Sequence, residues 1–265
     1  MIRYKVAQKP LPKVKDQHLR GVFGDFDQLI DEMVEKLEAT GLPFDAECGR
    51  FFRYLKERVD SDKFGAMQEI YLSDEKLNLN SDTVKYIDPT VWFVSKLGLA
   101  QTIGLDKRAP TEILDIGTGP AHFPVVAEFY GHSVLGTDIP QRTTGLEKRA
   151  HLYDALGDIY NVRRAPLMIK PFTALPAFET RFGIVTAFLA AFNVDADKKP
   201  WSIEAWNFFL NDLRENVLVE GGEVFMSLTD GKLTPEVWEY LSSRAVFKID
   251  VSKQIHIVDL KQFGG

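Results

Sequence analysis

The sequence contains little cysteine, no long apolar run and no excess of positive charge. Among its 265 residues is one cysteine, Cys48, which excludes an internal disulfide and is typical of a reducing compartment. No apolar run approaches the ~20 residues that a membrane-spanning helix needs, and no signal-peptide-like stretch opens the chain. The net charge of −6 disfavours a nucleic-acid partner. We therefore expect a cytoplasmic globular protein with no membrane span and no nucleic acid among its partners.

The most informative segment is residues 113–138. An apolar run that contains Asp115 is followed by Gly117 and Gly119, then by a helical stretch and a second apolar run that ends at Asp138. This order of strand, glycine turn, helix and strand predicts a βαβ unit with a nucleotide site at its carboxyl edge. The two glycines allow the backbone to bend tightly and to approach a ligand that a Cβ atom would push away. Asp138 then stands where a second strand delivers a carboxylate to a ribose diol.

The kind of nucleotide follows from the residues around the glycines. A dinucleotide site has the pattern Gly-x-Gly-x-x-Gly, but counting from Gly117 the sixth position is His122. Asp115, two residues before the first glycine, would repel a pyrophosphate but suits a ligand that carries an ammonium and a sulfonium. The stretch resembles motif I of the class I S-adenosylmethionine (SAM) dependent methyltransferases, Asp/Glu-x-Gly-x-Gly-x-Gly, with Ala121 in the place of the third glycine.

Strands and helices alternate after residue 110, in the order that this family shows. Phe182–Phe188 is a continuous apolar run, as a strand buried on both faces should be, and Gly221-Gly222 is placed as the turn that opens the fifth strand. The segments 246–251 and 254–258 are close enough to form an antiparallel hairpin. We expect an α/β fold with a doubly wound, mostly parallel seven-stranded sheet whose last strand is reversed. One departure is Gly183, because the family commonly has an acid there that braces the motif I loop.

The first hundred residues show helical periodicity and no βαβ signal. Apolar positions recur at helical spacing from Phe26, a second helix carries Phe51, Phe52 and Leu55, and a third begins at Asp88-Pro89. We therefore expect two regions: residues 1–108 form an N-terminal arm and a helical lid, and residues 109–265 form the SAM-binding core.

The resemblance implies a cofactor site at the carboxyl edge of the sheet. In it, Gly117 and Gly119 lie under the methionine moiety and ribose. Asp115 reaches toward the ammonium, directly or through water, and Asp138 binds the ribose hydroxyls. Two further residues, Ile139 on an adenine face and Phe172 at the adenine edge, complete the nucleoside site. Phe188 lies near the methionine portion, although Phe172 and Phe188 are equally compatible with packing roles. The full predicted set is Asp115, Gly117, Thr118, Gly119, Asp138, Ile139, Phe172 and Phe188.

The candidates for catalysis are His122 and Asp195. His122 directly follows motif I and is either a general base or a structural histidine. Asp195 lies in the polar loop after the fourth strand, where Asp195 or Asp197 could meet Asp230 and hold Mg²⁺. The alternative for these carboxylates is a solvated acidic loop without a metal.

The acceptor is the least determined part of the prediction. The Asn-Pro-Pro-Tyr tetrapeptide of nucleic-acid amino methyltransferases is absent, while the aromatic-rich segment 201–209 weakly resembles bacterial sugar and glycan methyltransferases. We expect O-methylation of a small molecule or a glycan precursor. A SAM-binding, non-catalytic partner subunit is the alternative that Gly183 motivates, and an NAD-dependent oxidoreductase is disfavoured by Asp115 and His122. The sequence makes no prediction of the oligomeric state.

Overall fold

The computed structural model describes residues 24–72, 84–139, 147–190, 192–258 and 260–263, which divide into two compact units. The boundary lies between Val94 and Ser95, whereas the sequence places it after residue 108. The predicted basic arm, residues 1–20, lies outside the described residues. Within them, no helix is both long enough and apolar enough to cross a membrane.

The N-terminal unit is helical. It contains α1 (Phe26–Glu38), α2 (Pro43–Arg58), α3 (Ser61–Leu72) and the start of α4 (Pro89–Thr102). The predicted helix start at Asp88 is present, since Asp88 accepts from the amide of Thr90 at 2.9 Å, and an oxygen of Asp25 caps α1 by accepting from the amide of Gln28 at 2.8 Å. The sequence does not predict α3, because Gly65 interrupts it and its exposed Ile70 breaks the pattern of a single apolar face.

Aromatic side chains fill the interior of this unit. The rings of Phe26 and Phe64 are 4.8 Å apart, and those of Phe51 and Phe93 are 5.0 Å apart. Cys48 is buried in α2, and burial raises the pKa of its thiol to about 12. The thiol therefore stays protonated, as is usual for a buried cysteine that packs in an interior.

The C-terminal unit is built on one seven-stranded sheet with the order β3-β2-β1-β4-β5-β7-β6. Strands β1 to β5 run parallel, and β7 runs antiparallel to both β5 and β6. This arrangement confirms the predicted doubly wound sheet with a reversed last strand. The strands are β1 Glu112–Ile116, β2 Ser133–Asp138, β3 Arg164–Pro166, β4 Phe182–Phe188, β5 Leu218–Ser227, β6 Phe247–Ile249 and β7 Gln254–Ile257.

Helices cover the sheet and bury its apolar side chains. They are α5 His122–Phe129, α6 Glu147–Ile159, α7 Ile203–Asp212, which continues as a π-helical turn over Leu213–Val217, and α8 Pro235–Ser242. On one face, Leu114, Val185 and Met226 of the strands pack with Trp206 and Leu241 of the helices, all of them buried. Full burial of an apolar side chain of this size contributes about 1.5–3 kcal/mol, so this shared interior holds the strand edges in place.

The Gly221-Gly222 pair lies inside β5 and not before it. The register between β4 and β5 moves from the pair Phe182–Leu218 to the pair Ile184–Glu223, so several residues of β5 oppose one residue of β4. Gly221 has φ 74°, which is a left-handed conformation that glycine adopts without cost. The expected turn is therefore a bulge, because β5 already pairs with β4 at Leu218.

Candidate functional site

The strand order locates the ligand crevice. From β1 the chain continues to β2 and β3 on one side, and β4 and β5 lie on the other side, so the topology switches between β1 and β4. Ligands of open α/β sheets bind outside the carboxyl ends of the strands at such a point. The loop Gly117–Ala121 follows β1 there, and β4 ends at Phe188, after which come Leu189 and Ala190.

The glycine loop has the shape that the motif requires. Gly117 and Gly119 have φ values of 70° and 54°, and Ala121, in the place of the third glycine, has φ 64°. A Cβ atom on Gly117 would lie 2.4 Å from the Cβ of Ala190, which is in the loop after β4. Position 117 therefore has room only for glycine. The loop therefore approaches the end of β4 as closely as the backbone allows.

Asp115 holds this loop from inside. Its side chain is buried, and its two oxygens accept hydrogen bonds from the hydroxyls of Thr186, at 2.7 Å, and Thr118. Burial raises the pKa of Asp115 to about 6, against the lowering effect of both hydroxyls. Gly136 on β2 makes room for Thr118, because a Cβ there would lie 2.8 Å from its Oγ1. These hydrogen bonds use both carboxylate oxygens of Asp115, whose predicted reach toward a ligand ammonium, directly or through water, stays a prediction.

The missing acid at Gly183 has a structural explanation. A Cβ atom on Gly183 would lie 2.2 Å from the Oγ1 of Thr111, so an aspartate there would displace that side chain. The bracing that this acid gives in the family is supplied here by Asp115 with Thr118 and Thr186, together with a hydrogen bond from the Thr118 amide to the Thr137 carbonyl at 2.8 Å.

Asp138 stands at the carboxyl end of β2, next to the glycine loop. Its Oδ2 accepts from the amide of Gly119 at 3.0 Å, and its Oδ1 accepts from the amide of Ile139 at 2.8 Å. Its side chain is 28% exposed. Each carboxylate oxygen can accept a second hydrogen bond, so the two hydroxyls of a ribose still find acceptors.

Two predicted nucleoside residues are exposed at the same edge. Ile139 follows β2, and Phe172, which is 59% exposed with φ 55°, follows β3 in the predicted turn. The ring of Phe172 lies 6.1 Å from that of Phe208. Both side chains are therefore accessible to a ligand, and their binding roles stay predictions.

Phe188 has an environment that the sequence did not predict. Its ring packs at 4.5 Å from Phe123 and at 5.7 Å from Phe225, and the Nζ of Lys96 lies 4.9 Å from its centroid. Within the described ranges, no ion pair or hydrogen bond is found for this half-buried ammonium. Burial lowers the pKa of Lys96, and the carboxylate of Asp115 acts in the opposite direction. Lys96 thus places a cation beside the switch point.

The two catalytic candidates, His122 and Asp195, have different surroundings. His122 begins α5 but is only 2% exposed, with its ring 6.0 Å from that of Tyr160. Asp195 closes a tight loop, since its Oδ1 accepts from the amides of Asp197 at 2.9 Å and Lys199 at 2.8 Å. These positions give His122 and Asp195 clear structural roles and leave their chemical roles as predictions.

The Mg²⁺ site is not supported. Asp230 is mostly exposed and lies 3.5 Å from the Nζ of Lys253, and the Asp195 carboxylate is engaged by loop amides. In the part of the chain that the structure describes, no three His, Cys, Asp or Glu side chains are grouped as metal ligands. The backbone amides of the acidic loop thus bind the Asp195 carboxylate.

The aromatic-rich segment is mainly interior. Trp201, Trp206 and Phe209 are buried, and their rings surround Phe192 at 5.3–5.9 Å. These rings offer no free face for stacking on a sugar, which removes the main support for a glycan acceptor. Phe208 remains, half-buried and next to Phe172.

Comparisons with known proteins find similarity in fold. No family model matches the chain, and no curated protein matches it. Among solved structures, a ribosomal protein L11 methylase from Lactobacillus delbrueckii subsp. bulgaricus is 21% identical over 62% of this chain and 74% of its own, with a TM-score of 0.37. SAM-bound CalS10, an amino pentose methyltransferase from Micromonospora echinaspora, is 18% identical over 55% and 52%, with a TM-score of 0.38.

A third structure, the PH0226 protein from Pyrococcus horikoshii OT3, is 16% identical over 74% of this chain and 84% of its own, with a TM-score of 0.37. At identities below 25% and TM-scores below 0.5, these likenesses assign neither a reaction nor an acceptor to this chain. The strand order and the reversed β7 are those that the resemblance to class I methyltransferases predicts.

Proposed function

We propose that this chain is a SAM-dependent methyltransferase whose cofactor binds at the switch point between β1 and β4. The observation that carries the proposal is the loop in which Gly117 and Gly119 have left-handed φ values. The amide nitrogen of Gly119 in this loop lies 3.0 Å from the carboxylate of Asp138. A close-approach loop beside an acid at the end of β2 suits an adenosine ligand with a free ribose diol.

The residues present fit the groups of this cofactor. Asp138 offers acceptors to two ribose hydroxyls, and exposed Ile139 and Phe172 offer apolar surface to a purine. Lys96 offers a half-buried cation to the carboxylate of the methionine moiety. Burial of this ammonium is costly, and a ligand carboxylate would lower that cost beyond the effect of the nearby Asp115 carboxylate. The charge pattern also disfavours NAD, because the buried Asp115 carboxylate lies directly before the loop that would cradle a pyrophosphate.

A bound cofactor would supply a methyl group on a sulfonium sulfur. In-line attack of the acceptor on the methyl carbon would transfer that group and release the sulfur as a neutral thioether. The chain's own contribution is alignment of the two reactants, and a base where the acceptor is a hydroxyl. His122, directly after the glycine loop, is our proposed base, and Asp195 orders the loop after β4 through its amide contacts.

For the acceptor we propose O-methylation of a small molecule. The exposed side chains near the carboxyl ends of β3 and β4 include Phe172 and Leu189, and Leu189 has φ 56°, a strained conformation for a leucine. Apolar contacts of this kind suit an acceptor with a flat or aliphatic body. A glycan precursor stays as a second acceptor class, with Phe172 and Phe208 as its stacking surface. Closure of the N-terminal helices over the acceptor also stays a prediction.

The reaction is tested by transfer of labelled methyl from SAM to phenols, sugar hydroxyls, carboxylates and amines. Transfer to a hydroxyl that saturates with acceptor concentration supports the proposal. Binding of SAM without transfer to any acceptor, including those in a cell extract, supports the non-catalytic partner instead. Reduction of NAD by an alcohol substrate, with no SAM binding, would support the oxidoreductase.

A further inference from the structure

Arg164, at the start of β3, lies beside the ribose-binding acid of the proposed site. Its NH2 is 3.7 Å from Oδ2 of Asp138, while its NH1 donates to the carbonyl of Tyr153 at 2.6 Å and to Oδ1 of Asp154 at 3.1 Å. The side chain is only 16% exposed. Two hydrogen bonds from NH1 to α6 therefore fix the guanidinium, and its NH2 faces Asp138.

Helix α6 is shaped to admit this side chain. Gly157 lies in the last turn of α6. A Cβ atom on Gly157 would lie 2.8 Å from the Cδ and 2.9 Å from the NH1 of Arg164. The absence of a Cβ atom at Gly157 therefore leaves the space that the Arg164 side chain occupies.

Three groups orient the Asp138 carboxylate. The Gly119 amide and the guanidinium of Arg164 both face Oδ2, and the amide of Ile139 binds Oδ1. A carboxylate held in one orientation does not lose that freedom when a ligand binds, which improves affinity without a new contact.

We propose that Arg164 is a positioning residue that holds Asp138 in the orientation that binds two vicinal ribose hydroxyls, and that Gly157 is present to let it do so. This inference rests on the proposed nucleoside site. It extends that site to Arg164 on β3 and Gly157 on α6, which act through Asp138 and not by contact with the ribose.

The test is a double-mutant cycle with S-adenosylhomocysteine, measured by calorimetry on the full chain. Arg164→Met is expected to weaken binding about tenfold in the wild-type background and less than twofold in the Asp138→Ala background, because the two residues act as one unit. The 2′-deoxy analogue, which lacks one hydroxyl, should show a smaller effect of Arg164→Met. The matched control is Arg163→Met, since neighbouring Arg163 is 57% exposed and pairs with Glu112 at 3.2 Å.

A second variant separates positioning from folding. Gly157→Ala keeps Arg164 but displaces the flexible end of its side chain, and alanine favours the helix. We expect an unchanged or higher melting temperature together with about fivefold weaker binding, a combination within the usual size of coupling between neighbours. A purely structural Arg164 would leave affinity unchanged in Gly157→Ala.

Equal losses from Arg164→Met in both backgrounds, or no loss in either, would overturn the inference while the proposed function stands. A wild-type chain that does not bind S-adenosylhomocysteine at all would overturn both.

Discussion

The hydroxyl of Thr186 on β4 donates a 2.7 Å hydrogen bond to the carboxylate of Asp115 on β1, across the switch point between these two parallel strands. The other oxygen of the same carboxylate accepts from Thr118 in the glycine loop. One buried acid therefore ties together the two strands and the loop that form the proposed cofactor site.

Burial of the Asp115 carboxyl makes the free energy of unfolding depend on pH. Burial raises the pKa of Asp115 from an ordinary 3.8 to about 6, so between these values the folded chain holds a proton that the unfolded chain has lost. The contribution of this group to the free energy of unfolding is therefore fully present below pH 3.8 and is lost as the pH rises through 6. At about 1.4 kcal/mol for each pKa unit, the loss is at most about 3 kcal/mol.

Asp115→Asn removes the titration and keeps the size of the side chain. The stability of the wild type relative to this variant, from urea midpoints, should fall between pH 4 and pH 7 and stay level above pH 7. A difference that is independent of pH, or that grows with pH, would contradict the assigned cause.

The close contact at Gly117 predicts a large difference between two alanine variants. Gly221→Ala places alanine at φ 74° in open space, so its cost is the left-handed conformation alone, about 1–2 kcal/mol. Gly117→Ala adds the overlap with Ala190, a further ~1–3 kcal/mol, and should abolish cofactor binding. Thermal unfolding and S-adenosylhomocysteine titration of both variants measure this. Equal behaviour of the two would show that the loop after β4 can move away.

The sequence predicted the sheet well because a parallel strand buried on both faces is an uninterrupted apolar run. The bounds of β4, Phe182–Phe188, are reproduced residue for residue. Motif I gave the positions of Gly117, Gly119 and Asp138, whose local geometry has a direct residue signature. Their roles toward a ligand stay predictions.

Other features depend on pairing between distant segments and leave no local signal. Nothing in the sequence distinguishes Lys96 from any other lysine on a helix, and only the fold places its ammonium over the ring of Phe188. Arg164 likewise meets Asp138 through the register of β2 and β3. Asp195 resembles a metal ligand by type, but its oxygen is used by the backbone of its own loop, as Asp side chains often do.

We expect Lys96 to recognise a carboxylate, because its ammonium lies over the Phe188 ring and no ion pair or hydrogen bond is found for it in the part of the chain that the structure describes. Lys96→Met should weaken S-adenosylhomocysteine about tenfold, or 1.4 kcal/mol, as expected for one charge-assisted bond. It should leave binding of 5′-methylthioadenosine, which lacks the amino-acid tail, unchanged. Lys107→Met is the control, because Lys107 is exposed on the same unit. An equal loss for both ligands would place Lys96 outside the tail site.

The role of His122 can be separated into chemistry and packing. A general base requires that His122→Ala lowers kcat by about 10²–10⁴ while S-adenosylhomocysteine affinity stays intact. The wild-type rate should then rise with pH through one ionisation. A lower melting temperature with kcat within tenfold of wild type would show that the buried ring only packs against Tyr160.

The central claim is that the switch point between β1 and β4 binds SAM, and calorimetric titration with S-adenosylhomocysteine tests it most directly. We predict micromolar affinity in the wild type, about −7 to −8 kcal/mol, with no comparable affinity for NAD. In Asp138→Ala the affinity should fall by about 1.5–3 kcal/mol, the value of hydrogen bonds to a charged acceptor. Absence of binding in the wild type, equal affinity for NAD, or full affinity in Asp138→Ala would contradict the account.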